Sequence, residues 1–349
     1  MERDDEKIDE ILTKLEKIKD PVGDIYRYNY QGFWIEAFTL KGLIPFQTQF
    51  EARDDDIILA SCPKSGTTWL KSLIFSIGNR NNNSNINPFT TSNVTFTSTV
   101  RYCAGKSNFY QHISQTALAK RSKFCLFTAN PHDLIPMLEL SLPMENMIKP
   151  RLLNTHIPYP SLPPSIKDSH CKIVYICRNP LDVFVSHWHF AHRFSGEDDI
   201  EPCHLEECFD MFCKGIHAFG PFWDHILGFW KASLEMPRKI LFLKYEELMK
   251  NDIFFIKKIA HFLGFHFSKE EEHCGVPQQI EQLCSFENLK NINVNKTGKH
   301  SLEMSNSSFF RKGEIGDWVN YLTPQMAEHG KKLIQEKIGE SGLMFDFLD

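Results

Sequence analysis

The segment "DDIILASCPKSGTTWLKSLIFSI" (residues 55–77) reads as a strand, a polar turn and a helix. Ile57, Ile58, Leu59 and Ala60 form a short apolar run bounded by acidic residues and a proline, the pattern of a strand buried on both faces. From Thr67 to Ile77 the residues Trp69, Leu70, Leu73, Ile74 and Ile77 recur at helical spacing. Between the two lie Lys64, Ser65, Gly66, Thr67 and Thr68. Their composition suits a phosphate loop, but the lysine precedes a single glycine, whereas the common nucleotide P-loop sets two glycines before Lys-Ser/Thr. Gly66 lets backbone approach an anion, the N–H groups at the helix start favour negative charge, and Lys64 adds a mobile cation. The same residues could also serve only as a helix cap.

Working outward, three more apolar runs follow: "RLLNTHIPYPSLP" (151–163), "CKIVYICRNP" (171–180) with a helix from Leu181, and "KILFLKYEEL" (239–248) with a helix over 252–265. This alternation predicts an α/β fold whose central parallel sheet is flanked by helices. Ligands in such sheets sit beyond the carboxyl ends of the strands. Lys64–Thr68, Asn154–His156, Arg178 and Tyr245 should therefore meet on one edge. Residues 5–19 predict a charged amphipathic helix carrying Ile8, Ile11, Leu12, Leu15 and Ile18. We expect residues 1–24 to be a helical extension of a single domain over 25–349, irregular across 270–320.

Composition excludes several classes. The 349 residues carry a net charge of −5, which argues against a nucleic-acid binder working by bulk electrostatics. No run of 18 apolar residues exists, so no membrane partner is expected, and the opening "MERDDEKIDEILTK" is too charged for a signal peptide. Ten cysteines without a C-x-x-C pair read as reduced thiols of a cytoplasmic protein. No metal is expected: Cys203-His204, Cys208 and Cys213 lack zinc spacing, and His187 and His189 fall on opposite sides of a helix.

Two further basic groups stand out. Arg178 closes a strand, with Ser186 about two helical turns on; a salt bridge to Asp182 is the plain alternative. "FFRKGEIGDW" (309–318) sets Arg311 and Lys312 before Gly313, suited to a second phosphate or simply to a surface turn. His156, after an apolar strand on the presumed ligand edge, can take a proton from a hydroxyl near neutral pH.

Together these segments resemble the soluble, cytosolic-type sulfotransferases, and within them the plant members. "CPKSGTTW" is similar to the family's 5′-phosphosulfate loop and "RKGEIGDW" to its 3′-phosphate loop. "CRNPLDVFVSHWHF", "YQGFW", "NTHIPYPSLP", "LKYEEL" and "LCSFENLKN" also match, over residues 25 to 325. The resemblance implies a sulfotransferase fold with a P-loop-like phosphosulfate loop. It implies 3′-phosphoadenosine 5′-phosphosulfate (PAPS) as donor, PAP as product, and a small-molecule hydroxyl acceptor.

By position, Lys64, Ser65, Gly66, Thr67 and Thr68 would cradle the 5′ group. Trp69, Phe286 and Tyr245 would surround the adenine, Arg178, Ser186, Arg311, Lys312 and Gly313 would hold the 3′-phosphate, and Ser285 would belong to the same adenosine-binding stretch. His156 would be the base and Lys64 the catalytic cation. Asn154 stands where animal members carry lysine. Phe33, Trp34, Tyr159, Phe190 and Trp223 are the expected acceptor pocket. Relatives of this type act on flavonols, brassinosteroid-like steroids, hydroxyjasmonates and desulfoglucosinolates. A monomer and a weak homodimer both remain open, the animal dimer motif being absent around Thr297. A PAPS- or PAP-binding module without turnover, and a nucleotide kinase, are the competing readings.

Overall fold

The computed structural model describes residues 2–22, 25–80, 126–140, 150–194, 205–300 and 304–347. Its strands are β1 (Lys17–Lys19), β2 (Tyr26–Tyr30), β3 (Phe33–Glu36), β4 (Ile57–Ser61), β5 (Leu152–Thr155), β6 (Lys172–Cys177) and β7 (Ile240–Lys244). The helices that frame the site are α1 (Glu2–Lys14), α2 (Ala37–Gln49), α3 (Thr67–Asn79), α4 (Pro180–Phe194), α5 (Phe222–Glu235) and α6 (Asp252–Phe262).

β4 is buried along its whole length because it lies between two parallel partners, in the order β5-β4-β6-β7. Strand side chains alternate between faces, and the alternation divides the core in two. Ile58, Ala60, Leu153, Ile173 and Tyr175 join one apolar cluster, while Ile57, Leu59, Leu152, Val174 and Ile176 join the other. Each fully buried Ile or Leu here contributes about 1.5–3 kcal/mol, so both sheet faces must be covered. α3 and α6 pack with the second cluster and α5 with the first. The parallel register sets Ala60 beside Thr155 and Tyr175, and Cys177 beside Lys244. The chain leaves these strands at Cys62, His156, Arg178 and Tyr245, all on one edge.

Three local expectations change. Helix α1 ends at Lys14, and Ile18 lies in a strand instead. β1 pairs with β2 and β2 with β3 in an antiparallel sheet, so residues on both sides of position 24 share one sheet. The buried charge of Arg27, held by Asp20 and Glu36, inverts the usual apolar-inside pattern and hides β2 from a periodicity reading. Much of the stretch over 270–320 is short helices rather than irregular chain, among them Val276–Cys284, Phe286–Asn291 and Asn293–Thr297. Among the described residues no helix is long and apolar enough to cross a membrane.

Candidate active site

The turn between β4 and α3 is held in a conformation that few side chains adopt. Lys64 has φ 68° and Gly66 φ 102°. A Cβ on Gly66 would lie 2.7 Å from the Tyr245 ring, so both the backbone angle and the close approach require glycine. Gly66 caps α3 without a side-chain hydrogen bond. The first-turn N–H groups of the helix therefore lack intrahelical partners and point at the turn. Ser65 is fully buried and its hydroxyl has no partner among the described residues. Unlike its neighbours Lys64, Gly66, Thr67 and Thr68, Ser65 does not line the cavity at this turn.

The charge around the turn is positive and unbalanced. The Lys64 Nζ lies 4.0 Å from the centre of the Phe190 ring, and no carboxylate among the described residues pairs with it. Burial, then the charges of Arg311, Arg178 and Arg193, lower its pKa to about 7. Arg178 stacks over Tyr245 at 4.8 Å and donates to the Glu314 carbonyl at 2.5 Å. Its salt bridge to Asp182 exists, at 3.5 Å, but Asp182 chiefly accepts the Gly316 and Trp318 N–H groups at 2.8 and 3.1 Å. It thereby fastens the 311–318 loop beside the end of β6.

Asp317 takes Arg311 and Lys312 at 2.5 and 2.6 Å. Burial pushes its carboxyl up, but hydrogen bonds from Lys312, Arg311 and Asn320 prevail and hold it at about 2. The Nε atoms of Arg178 and Arg311 are buried without a partner among the described residues. Gly313, at φ 72°, is needed because a Cβ would come within 2.6 Å of Phe286.

A cavity of about 610 Å³ joins these parts. Lys64, Gly66, Thr67, Thr68, Trp69, Arg178, Ser186, Tyr245, Ser285, Phe286, Arg311, Lys312 and Gly313 line it, with His156 and Phe190. Trp69 meets Tyr245 edge-on at 5.5 Å, and Ser285 caps the helix that begins at Phe286.

His156 is fixed on three sides. Its Nδ1 lies 2.7 Å from the Ser61 carbonyl oxygen, so Nδ1 carries the proton and Nε2 keeps its lone pair. Its N–H donates to Glu139 at 2.8 Å. Its carbonyl accepts from Nε2 of His225, whose Nδ1 faces the Tyr175 hydroxyl at 2.9 Å. Burial lowers the His156 pKa to about 3, keeping the imidazole neutral.

The expected aromatic pocket is corrected at four of its positions. Of Phe33, Trp34, Tyr159, Phe190 and Trp223, Phe190 alone lines the cavity. Phe33 and Trp223 are core residues, the Trp34 backbone pairs with Gly220, and Tyr159 packs edge-on against Phe229. Aromatic residues serve the core as readily as a pocket, so composition could not separate them. Phe38, Met137, His187 and Phe219 line the cavity instead, as do Asp20, Arg27 and Glu36, and the Phe219 ring centre lies 5.6 Å from that of His156. Asn154 is buried; its amide donates to the Leu59 carbonyl at 3.1 Å and stays out of the cavity.

Sequence reasoning missed Lys71, His132 and Glu139. Lys71 carried a signal, one helical turn after Thr68 on the same face; the other two depend on folding of the 126–140 segment. Cys203 and His204 lie outside the described residues.

A family model described as "Sulfotransferase domain" matches residues 54–342. "Cytosolic sulfotransferase 15" of Arabidopsis thaliana is 39% identical over 327 residues, covering 92% of this chain and 82% of that protein. "Cytosolic sulfotransferase 13" of the same plant is 40% identical over 337 residues, 97% of this chain and 93% of its own. A crystal structure of an Arabidopsis thaliana protein, provisionally named a steroid sulphotransferase, superposes with TM-score 0.67 at 35% identity, covering 97% of this chain and 94% of that one. Mouse sulfotransferase SULT7A1 complexed with PAP gives TM-score 0.62 at 26% identity, over 89% of this chain and 95% of that one.

Proposed function

The chain belongs to the sulfotransferase family, and we propose that it sulfates a hydroxyl group of a small, largely apolar plant metabolite, with His156 as general base. Its donor is PAPS, which supplies a sulfuryl group activated by a phosphate leaving group. The residues present suit such a polyanion. The Nε atoms of Arg178 and Arg311, which have no partner among the described residues, and two glycines crowded by aromatic rings form a cradle with donors to spare. We assign the 5′ end to the turn over 64–68 and the 3′-phosphate to Arg178, Ser186, Arg311, Lys312 and Gly313. The adenine goes to Trp69, Tyr245 and Phe286, with Ser285 at its border.

The observation that carries the reading is the lone pair of His156 Nε2 in the wall of the cavity that Lys64 also lines. His156 takes the proton of the acceptor hydroxyl as its oxygen forms a bond to sulfur. Lys64 and the first-turn N–H groups of α3 stabilise the charge that develops on the departing phosphate, which lowers the barrier more than it strengthens binding. Phosphate charge in the cavity raises the basicity of His156 above its value in the empty site. Phe38, Met137, Phe190 and Phe219 suit an apolar acceptor. We further place the enzyme in the cytoplasm.

The test is incubation with labelled PAPS and a panel of flavonols, steroids, hydroxyjasmonates and desulfoglucosinolates, read by mass spectrometry. Transfer to at least one neutral or weakly acidic alcohol or phenol is expected. Tight PAP binding without transfer to any of them would contradict the reading.

A further inference from the structure

Lys71 is 1% exposed, one turn beyond Thr68 on α3. Its ammonium donates to the Ile135 carbonyl at 2.9 Å and lies 3.2 Å from Nδ1 of His132. The other nitrogen of that ring, Nε2, lies 2.8 Å from the Thr68 hydroxyl oxygen. Stacking on Phe309, with ring centres 4.0 Å apart, fixes the plane of the imidazole. All three side chains line the cavity beside the 62–69 turn.

The chemistry of the three groups sets the direction of the chain. An ammonium can only donate, so Nδ1 of His132 must accept and its proton must sit on Nε2. Nε2–H then donates to the Thr68 oxygen. The Thr68 hydroxyl hydrogen is left to find another acceptor, and Thr68 makes no other side-chain hydrogen bond among the described residues. The reverse order would need a neutral Lys71. Burial lowers the Lys71 pKa to about 7, while the charges of Glu139 and Asp133 act to raise it. His132 stays neutral, through burial and then the charges of Lys71, His300, His156 and Lys64. A phosphate-type anion in the turn would favour the ammonium further.

We propose that Lys71 and His132 are positioning residues that fix the Thr68 hydroxyl as a hydrogen-bond donor to the anion held by the 62–69 turn. The inference rests on the reading of that turn as the 5′ site. With Lys71 as the ammonium, the form that the bound anion favours, the Thr68 hydroxyl is aimed as a donor instead of being left to rotate.

A double-mutant cycle on PAP binding, followed by calorimetry, tests it. His132→Phe keeps the stack on Phe309 but removes both hydrogen bonds; Thr68→Val removes the hydroxyl. Each should weaken PAP by about five- to tenfold, the scale of one hydrogen bond. The double variant should bind no worse than Thr68→Val alone. His132→Gln, which can still accept from Lys71 and donate to Thr68, should recover most of the loss. Adenosine 3′-phosphate, which lacks the 5′ group, should bind His132→Phe and wild type alike.

Multiplying losses in the double variant, or an equal loss for adenosine 3′-phosphate, would overturn the relay. Should the thermal melt show His132→Phe to be unfolded, Lys71→Met enters the same cycle under the same criteria. Wild-type protein that binds adenosine 3′-phosphate no more weakly than PAP would remove the 5′-site reading itself, which distinguishes the two failures.

Discussion

The Tyr245 hydroxyl donates to the Gly313 carbonyl oxygen at 2.8 Å, while the Tyr245 ring occupies the space in which a Cβ on Gly66 would stand. One side chain thus fixes the spacing between the two cationic loops, which lie far apart in sequence. That spacing determines which bis-anion can bridge them.

Gly66→Ala should therefore damage donor binding more than any other single methyl group. The left-handed backbone costs an L-residue about 1–2 kcal/mol, and the new Cβ meets the Tyr245 ring at 2.7 Å. We expect at least a tenfold loss of PAP affinity by calorimetry, with a folded far-UV spectrum. Affinity within twofold of wild type would show that the turn tolerates another shape.

Arg311→Ala should weaken PAP by roughly ten- to a hundredfold, as for a charge-assisted hydrogen bond worth about 1.5–3 kcal/mol. Adenosine 5′-phosphosulfate, which lacks the 3′-phosphate, should lose little. Comparable losses for both nucleotides would take the 311–313 segment away from the 3′ end.

The sheet and the two loops were readable because their signals are contiguous. Residues 57–60 and 173–177 are unbroken apolar runs; Arg178 follows its run directly, and Lys64 stands in the turn just beyond the other. What stayed hidden depends on partners distant in the chain. Arg27 is buried only because Asp20 and Glu36 meet it, and Lys71 only because Ile135 and His132 do. The aromatic pocket misled for a related reason: Phe33 and Phe219 are both buried, and only the packing decides which of them faces the cavity.

Donor binding should take up protons. Lys64 and Lys71 are both lowered to about 7 in the empty site. A bound polyanion raises them, so at pH 8 the complex holds more protons than the free protein. PAP affinity should then fall as pH rises from about 7 to 9. Calorimetry at pH 8 in buffers of different ionisation enthalpy should give net uptake, reduced in Lys64→Met. Net release, or uptake unchanged in that variant, would contradict the electrostatic account of the turn.

His156→Gln tests the central claim most directly, because it removes the base while keeping a polar side chain of similar reach. The measurement is the single-turnover rate of sulfuryl transfer at saturating PAPS, on an acceptor that the wild type sulfates. A fall of about 10²–10⁴-fold is expected, the usual contribution of a general base, with PAP affinity within about twofold of wild type. A rate close to wild type would contradict the account, since proton removal would then belong to another group.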